Sequence, residues 1–362
     1  MDEFLVRTSI IDPVGPDDRI VLRSFLAPLG LDFEDDVELS AFVYEGDTAI
    51  ASASLAGDVI KCVGVLPGRE GEGAAARAVS AVMDEARAKG RQKLFVYTRP
   101  KNRSIFESLG FTVLAAVSPD RSAPGTDPEG ADGGVMLLES DPRAFEAWAN
   151  AIRLTLPDGK ADGAAVVNCN PFTLGHRYLI ERAAAACETL LVLVVAGDRS
   201  SFPGAVREAL VRAGTATFGN VVVASGGSYC VSGATFPAYY LKEKSQAAEL
   251  QASLDAELFA AKIAPAFGIH KRFVGTEPYC QVTAAYNRAM AAVLPRHGVE
   301  LVELARAESG GAAISASAVR AALKDGDLAR AAALVPATTL DWLASPEAAP
   351  IITALRTGSG RH

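Results

Sequence analysis

Two short stretches hold residue types whose spacing can do chemistry. In "NCNPFTLGHRYLIE" an apolar run ends near Cys169, Gly175 permits a close backbone approach, and His176, one of four histidines, falls in the first turn of a helix. A helix start offers free N–H groups and the positive end of its dipole, so the position suits an anion. A histidine there can donate a hydrogen bond to a phosphate oxygen and stabilise charge that builds when an α-phosphorus is attacked. An ordinary strand-to-helix turn has the same spacing, so Thr-x-Gly-His alone does not decide. The second stretch, "GAAISASAVRAAL", sets Ile314, Ser315 and Ser317 before another helix, with Arg320 one turn in. Either serine can cap that helix and leave N–H groups for a terminal phosphate, and Arg320 can reach a phosphate with two parallel bonds. Alone this is an N-cap; together the two stretches frame a nucleotide site.

The elements that must position them alternate. From Gly163 onward the strand-like runs "AAVVNC", "TLLVLVVAG", "NVVVASG", "HKRFVG" and "VELVELAR" are separated by helical segments, which predicts an α/β fold with a parallel sheet and crossover helices. Before residue 140 the pattern is α+β: a helix in "RIVLRSFLAPLG", a hairpin about Glu45-Gly46-Asp47, a third strand "VIKCVGV", a glycine-rich turn and a long helix closing at Gly90. A strand "KLFVYTR", a short helix "NRSIFESLG" and a strand "FTVLAAV" follow, and residues 118–134 read as a loop before a further strand "VMLLES". Domains are therefore expected at 1–140 and 163–345, joined by a linker at 141–162 and followed by a tail at 346–362.

Composition narrows the classes. The chain has 362 residues, 49% hydrophobic and 22% charged, which suits a globular protein with sizeable cores. A net charge of −8 without a strongly basic segment argues against a nucleic-acid partner. Five cysteines, at 62, 169, 187, 230 and 280, show no Cys-x-x-Cys pair, which points to reduced thiols and no zinc site; Cys169 and Cys280 read as packing residues. The N-terminus lacks an apolar signal region and no run reaches membrane-span length, so a cytoplasmic protein without a membrane partner is expected.

Thr173-Leu-Gly-His176 and Ile314-Ser-Ala-Ser-Ala-Val-Arg320 resemble the paired motifs of the nucleotidyltransferase superfamily, which implies a Rossmann-like sheet and a nucleoside triphosphate. Threonine at the first motif position favours ATP. "NCNPFTLGHRYLIE", "SSFPGAVREALVRAGT", "SYCVSGATFPAYYLK" and "GTEPYCQVTAAYN" together resemble the citrate lyase ligase family across nearly all of residues 163–325. The resemblance implies activation of acetate by ATP as acetyl-AMP, with release of pyrophosphate, and delivery of acetyl to the prosthetic-group thiol of the citrate lyase acyl carrier protein. The malonate decarboxylase carrier is an alternative partner, and a phosphorylated acceptor an alternative second substrate. Mg²⁺ is expected with ATP, and no dedicated metal cluster is visible.

On this reading His176 and Arg320 act on the reacting phosphates. Asn170, Thr173, Gly175, Ile314, Ser315 and Ser317 shape the ATP site. Arg199 and Arg207 flank "SSFPGAV" as acceptor or phosphate contacts or as surface charges. Lys242 is a further cation or a solvated helix residue, and Glu277 meets a ribose, a pocket rim or only a turn. In the first half, "VGVLPGREGEGAAARAV" and "PKNRSIFESLGF" resemble the acetyl-CoA-dependent N-acetyltransferase (GNAT) fold, with Asn102, Phe106, Gly110 and Phe111 in place. Gly71 and Gly73 fit the pyrophosphate turn, while its first position falls on Gly68 with Arg69 out of register. Val65, Gly71, Gly73 and Asn102 are the candidates for holding a CoA-like arm. Glu70 and Glu72 bring negative charge to that turn, opposing pyrophosphate unless they point away.

Overall fold

The computed structural model describes residues 6–118, 134–197, 200–230, 244–276, 281–309 and 312–358. The chain divides into two compact units, residues 1–144 with 235–254, and residues 145–234 with 255–362.

In the first unit β1 (Val6–Ile11), α1 (Pro16–Leu26), β2 (Leu39–Glu45), β3 (Thr48–Ala56), β4 (Val59–Val65), α2 (Ala74–Ala88), β5 (Phe95–Thr98), α3 (Arg103–Ser108), β6 (Thr112–Val117) and β7 (Val135–Glu139) follow in chain order. The strands form one mixed sheet in the order β1-β2-β3-β4-β5-β7-β6. Alternation along β2 sends Ala41 and Val43 into a core under α2, and Phe42 into a second core with Leu22 and Leu26 of α1. The edge strand β1 is missing from the sequence reading because its first half is exposed and carries no buried alternation.

Two features of β4 open this sheet. Ser52 stands opposite Gly64 but Ser54 opposite Lys61, a bulge at which Cys62 takes φ 51°. On its other side β4 meets β5 in parallel only at Val59 and Ile60, so the strands part beyond that point. Lys61 itself is 2% exposed, with Nζ 2.6 Å from Glu34 and 2.9 Å from Asp36. This ion cluster ties the segment after α1 to β4.

The second unit runs through α4 (Ala144–Arg153), β8 (Gly163–Val167), α5 (Leu174–Ala184), β9 (Leu190–Val194), α6 (Gly204–Thr215) and β10 (Val221–Ser225). After α7 (Lys244–Leu258), whose residues up to Leu254 belong to the first unit, it continues through α8 (Ala264–Phe267), β11 (Lys271–Gly275), α9 (Gln281–Val293), β12 (Glu300–Leu304), a short hairpin, α10 (Ala316–Asp325), α11 (Leu328–Ala332), α12 (Ala337–Leu343) and α13 (Ala349–Thr357). All strand pairs of its five-stranded sheet are parallel, in the order β10-β9-β8-β11-β12. This is the doubly wound α/β arrangement, and its order reverses between β8 and β11, where such sheets open a crevice beyond the strand ends. Each of the five apolar runs read from the sequence supplies one strand. Within the segment read as a tail, Ile351, Ile352 and Leu355 of α13 pack against a core that includes Leu323 and Leu343.

Candidate functional site

The spacing of Thr173 and His176 is the spacing of a helix cap. Thr173 precedes α5 with extended φ and ψ, and its Oγ1 accepts the His176 backbone N–H at 3.3 Å. The His176 side chain reaches back in return, and Nδ1 accepts the Thr173 backbone N–H at 3.1 Å. A histidine thus takes the place that glutamate or glutamine holds in the usual capping box. An amide N–H only donates, so Nδ1 carries the lone pair and the proton of the neutral ring sits on Nε2. The Thr173 hydroxyl, 2.9 Å from Nδ1, can donate to the same lone pair. Phe172 stacks on the imidazole at 6.0 Å between centroids. Burial first, and then the positive charge of Arg306, lower the His176 pKa from the ordinary 6.5 to about 4. The ring is therefore a neutral Nε2–H donor at physiological pH.

The second motif closes onto the first. Ser315 caps α10, accepting the Ala318 backbone N–H at 3.1 Å. A Cβ on Gly175 would stand 2.7 Å from the Ile314 carbonyl oxygen, so only glycine lets the two helix starts approach this closely. Arg320 Nη1 donates to the Asn170 carbonyl at 2.6 Å, and Nη2 to Ser317 Oγ at 3.3 Å. Burial lowers the Arg320 pKa, and a guanidinium stays protonated at neutral pH all the same. Asn170 and Thr173 are themselves buried; Asn170 Oδ1 accepts the Phe202 N–H at 2.9 Å. The structure thus gathers Asn170, Thr173, Gly175, His176, Ile314, Ser315, Ser317 and Arg320 around one pair of helix N-termini.

Arg207 lies in neither setting the sequence allows for it. It is fully buried, and its N–H groups go to the carbonyls of Phe202, Asn168, Val195 and Gly197 and to Asn168 Oδ1. A guanidinium surrounded by carbonyl oxygens fixes the loop ends after β8 and β9. Its position in the first turn of α6 resembled a phosphate contact, while its full burial depends on those loops folding back over it. Arg199, Lys242 and Glu277 lie outside the described residues. Sequence reasoning missed Asn168, just past β8, and Arg306, just past β12, whose Nε donates to Thr276 O at 2.8 Å. Their place at the carboxyl ends of predicted strands was the available signal. Among the described residues there is no group of three or more His, Cys, Asp or Glu able to hold a metal ion, and no helix long and apolar enough to cross a membrane.

The first unit holds a cavity of about 730 Å³ where β4 and β5 part, and Val65, Gly71, Gly73 and Asn102 all line it. Gly71 and Gly73 take φ of 85° and 77°, which the tight turn into α2 requires. Asn102 Nδ2 donates to Thr98 Oγ1 at 3.1 Å. The turn also satisfies itself: Glu70 accepts the Gly68 N–H at 2.7 Å, and Arg69 pairs with Glu45 and with Glu72.

The citrate lyase ligase C-terminal domain matches residues 162–343. The citrate (pro-3S)-lyase ligase of Escherichia coli K12 is 36% identical over 327 residues, 89% of this chain and 89% of that protein. That of Klebsiella pneumoniae is 34% identical over 329 residues, 90% and 92% of the two chains. Among solved structures, the Escherichia coli ribosomal-protein-S18-alanine N-acetyltransferase aligns with 37% of this chain and 92% of its own, at 13% identity and TM-score 0.29. Escherichia coli ElaA aligns with 38% of this chain and 100% of its own, at 13% identity and TM-score 0.30.

Proposed function

The chain belongs to the citrate lyase ligase family, and from that premise we propose that it activates acetate with ATP and acetylates the thiol of the citrate lyase acyl carrier protein. The observation that carries the reading is the meeting of two helix N-termini, with Gly175 against Ile314 and Arg320 on the Asn170 carbonyl. An acetate oxygen attacks the α-phosphorus, pyrophosphate leaves, and acetyl-AMP forms. The carrier thiolate then attacks the acetyl carbon and AMP leaves.

The first step needs alignment and charge stabilisation without a protein nucleophile. The His176 Nε2–H donates to a phosphate oxygen, and because the imidazole is neutral it gives up no proton in doing so. The N–H groups that the caps leave free at the starts of α5 and α10, with the Arg320 guanidinium, neutralise charge on the triphosphate. Mg²⁺ bound to ATP would offset phosphate charge, and among the described residues no His, Cys, Asp or Glu cluster is gathered to hold it. The cavity of the first unit, with Val65, Gly71, Gly73 and Asn102 on its wall, takes the pantetheine-like arm of the carrier.

ATP–pyrophosphate exchange with and without acetate tests the first step. Acetate-dependent exchange is expected; exchange only with a phosphorylated acceptor would replace this reading by an adenylyltransferase. Acetyl transfer to purified citrate lyase carrier, compared with the malonate decarboxylase carrier, identifies the partner. Free pantetheine should compete with the carrier in transfer and leave exchange unchanged.

A further inference from the structure

Asn168 is exposed at the carboxyl end of β8, between buried Val167 and buried Cys169. Its carboxamide cannot turn freely. Arg207 Nη1 lies 2.7 Å from Asn168 Oδ1, and a guanidinium only donates, so the oxygen must face inward. Ser200 Oγ, 3.3 Å from the same Oδ1, is a second donor on that side. Arg207 also donates to the Asn168 carbonyl at 2.9 Å, which fixes the backbone from which the side chain springs. The Nδ2 group therefore points away from the protein, and among the described residues it has no hydrogen-bond partner.

Its setting matters. Asn168 lies beside the reversal of strand order and two residues before Asn170, whose carbonyl holds Arg320. We propose that the Asn168 carboxamide binds the carboxylate of the acid substrate, and that buried Arg207 is the positioning residue that aims it. The inference rests on the acetate-activating reading above and names the group that recognises the acid.

The chemistry favours a neutral donor here. A carboxylate paired with a guanidinium or ammonium is stabilised as an anion and becomes a weaker nucleophile. A carboxamide N–H orients the same carboxylate with less charge neutralisation, leaving the free oxygen able to attack phosphorus. The positive charge behind Oδ1 polarises the amide and strengthens its N–H as a donor, without itself touching the substrate.

The test uses the full chain and initial rates of acetate-dependent ATP–pyrophosphate exchange, with acetate and ATP varied separately. Asn168→Ala should raise the KM for acetate by ~10-fold or more, the loss expected for one hydrogen bond to a charged group, with the KM for ATP within about twofold of wild type. Asn168→Asp should be worse, since Arg207 still holds one oxygen and the other faces an anionic substrate. Arg207→Lys should raise the acetate KM in the wild-type background and add no further acetate effect in the Asn168→Ala background. Thermal unfolding of each variant separates this from loss of fold, and Asn168→Ala, which leaves the Arg207 contacts to four carbonyls possible, remains informative if Arg207→Lys does not fold. An unchanged acetate KM in Asn168→Ala, with exchange intact, overturns the inference and leaves the acetate-activating reading standing. Absence of acetate-dependent exchange in the wild type overturns both.

Discussion

Gly175→Ala offers a sharp test of the contact between the two motifs. The added Cβ would sit 2.7 Å from the Ile314 carbonyl oxygen, a backbone atom that cannot rotate aside. Even close C–H···O contacts need ~3.3 Å between carbon and oxygen, so one helix start must retreat by roughly 0.6 Å. Overpacking of this kind costs about 1–3 kcal/mol. Replacing glycine by alanine inside a helix returns about 1 kcal/mol, so the net loss of stability should stay within about 2 kcal/mol. Activity should suffer far more, because the retreat separates His176 from the N–H groups of α10 across the space where the proposed mechanism aligns the phosphates. A misplacement near 1 Å costs ~10²-fold in rate, and a fall of ~10–10²-fold in acetate-dependent pyrophosphate exchange is expected. Exchange and denaturant unfolding should be measured on the same preparation. A variant with near wild-type kcat/KM would refute the claim that the close approach of Gly175 and Ile314 serves the reaction.

His176→Ala should lower exchange by ~10²-fold or more if its Nε2–H stabilises the transition state, and a near wild-type rate would remove it from the mechanism. The same histidine makes a pH prediction. Its folded pKa, about 4, lies below the unfolded 6.5, so its contribution to stability is complete above about pH 6.5 and is lost as pH falls through 4. Relative to His176→Gln, the wild type should lose up to about 3 kcal/mol over that window; parallel stability curves for the two proteins would contradict the neutral-ring geometry. Lys61→Met should destabilise the first unit by about 3 kcal/mol, because it leaves Glu34 and Asp36 without their buried cation; an unchanged denaturant midpoint would show that water screens both carboxylates.

How far these features were legible in the sequence depended on how local their causes are. The cap at Thr173 and His176 is set by residues three apart, and Ser315 caps α10 through Ala318 in the same way, so both helix starts could be read directly. The five parallel strands announced themselves as apolar runs of strand length. Arg207 could not be read, because its burial is produced by Asn168, Val195, Gly197 and Phe202 from two different loops. Arg306 affects His176 only because β12 adds to the sheet edge beside β11. The cavity in the first unit arises from a bulge and a parting of strands, neither of which leaves a residue pattern stronger than a glycine-rich turn.

The cysteines bear on where the thiol of the proposed second step comes from. Burial raises the pKa of Cys62 and Cys230 to about 12 and of Cys187 to about 11, and pushes that of Cys169 up as well. Cys169, closest in sequence to His176, is completely buried, and the imidazole there turns its lone pair to Thr173, so it has no free base position for a thiol. A thiolate is the reactive form of cysteine, and none of these four is a thiolate at neutral pH. An acyl-enzyme thioester on any of them would require removing a proton that the fold holds firmly. The proposed transfer of acetyl from the mixed anhydride to a carrier thiol needs no acyl-enzyme intermediate on any of these four; Cys280 lies outside the described residues. Alanine at Cys169 or Cys187 should therefore leave carrier acetylation within a few-fold of wild type, and loss of acetylation with exchange and fold intact would place a covalent intermediate on the chain itself.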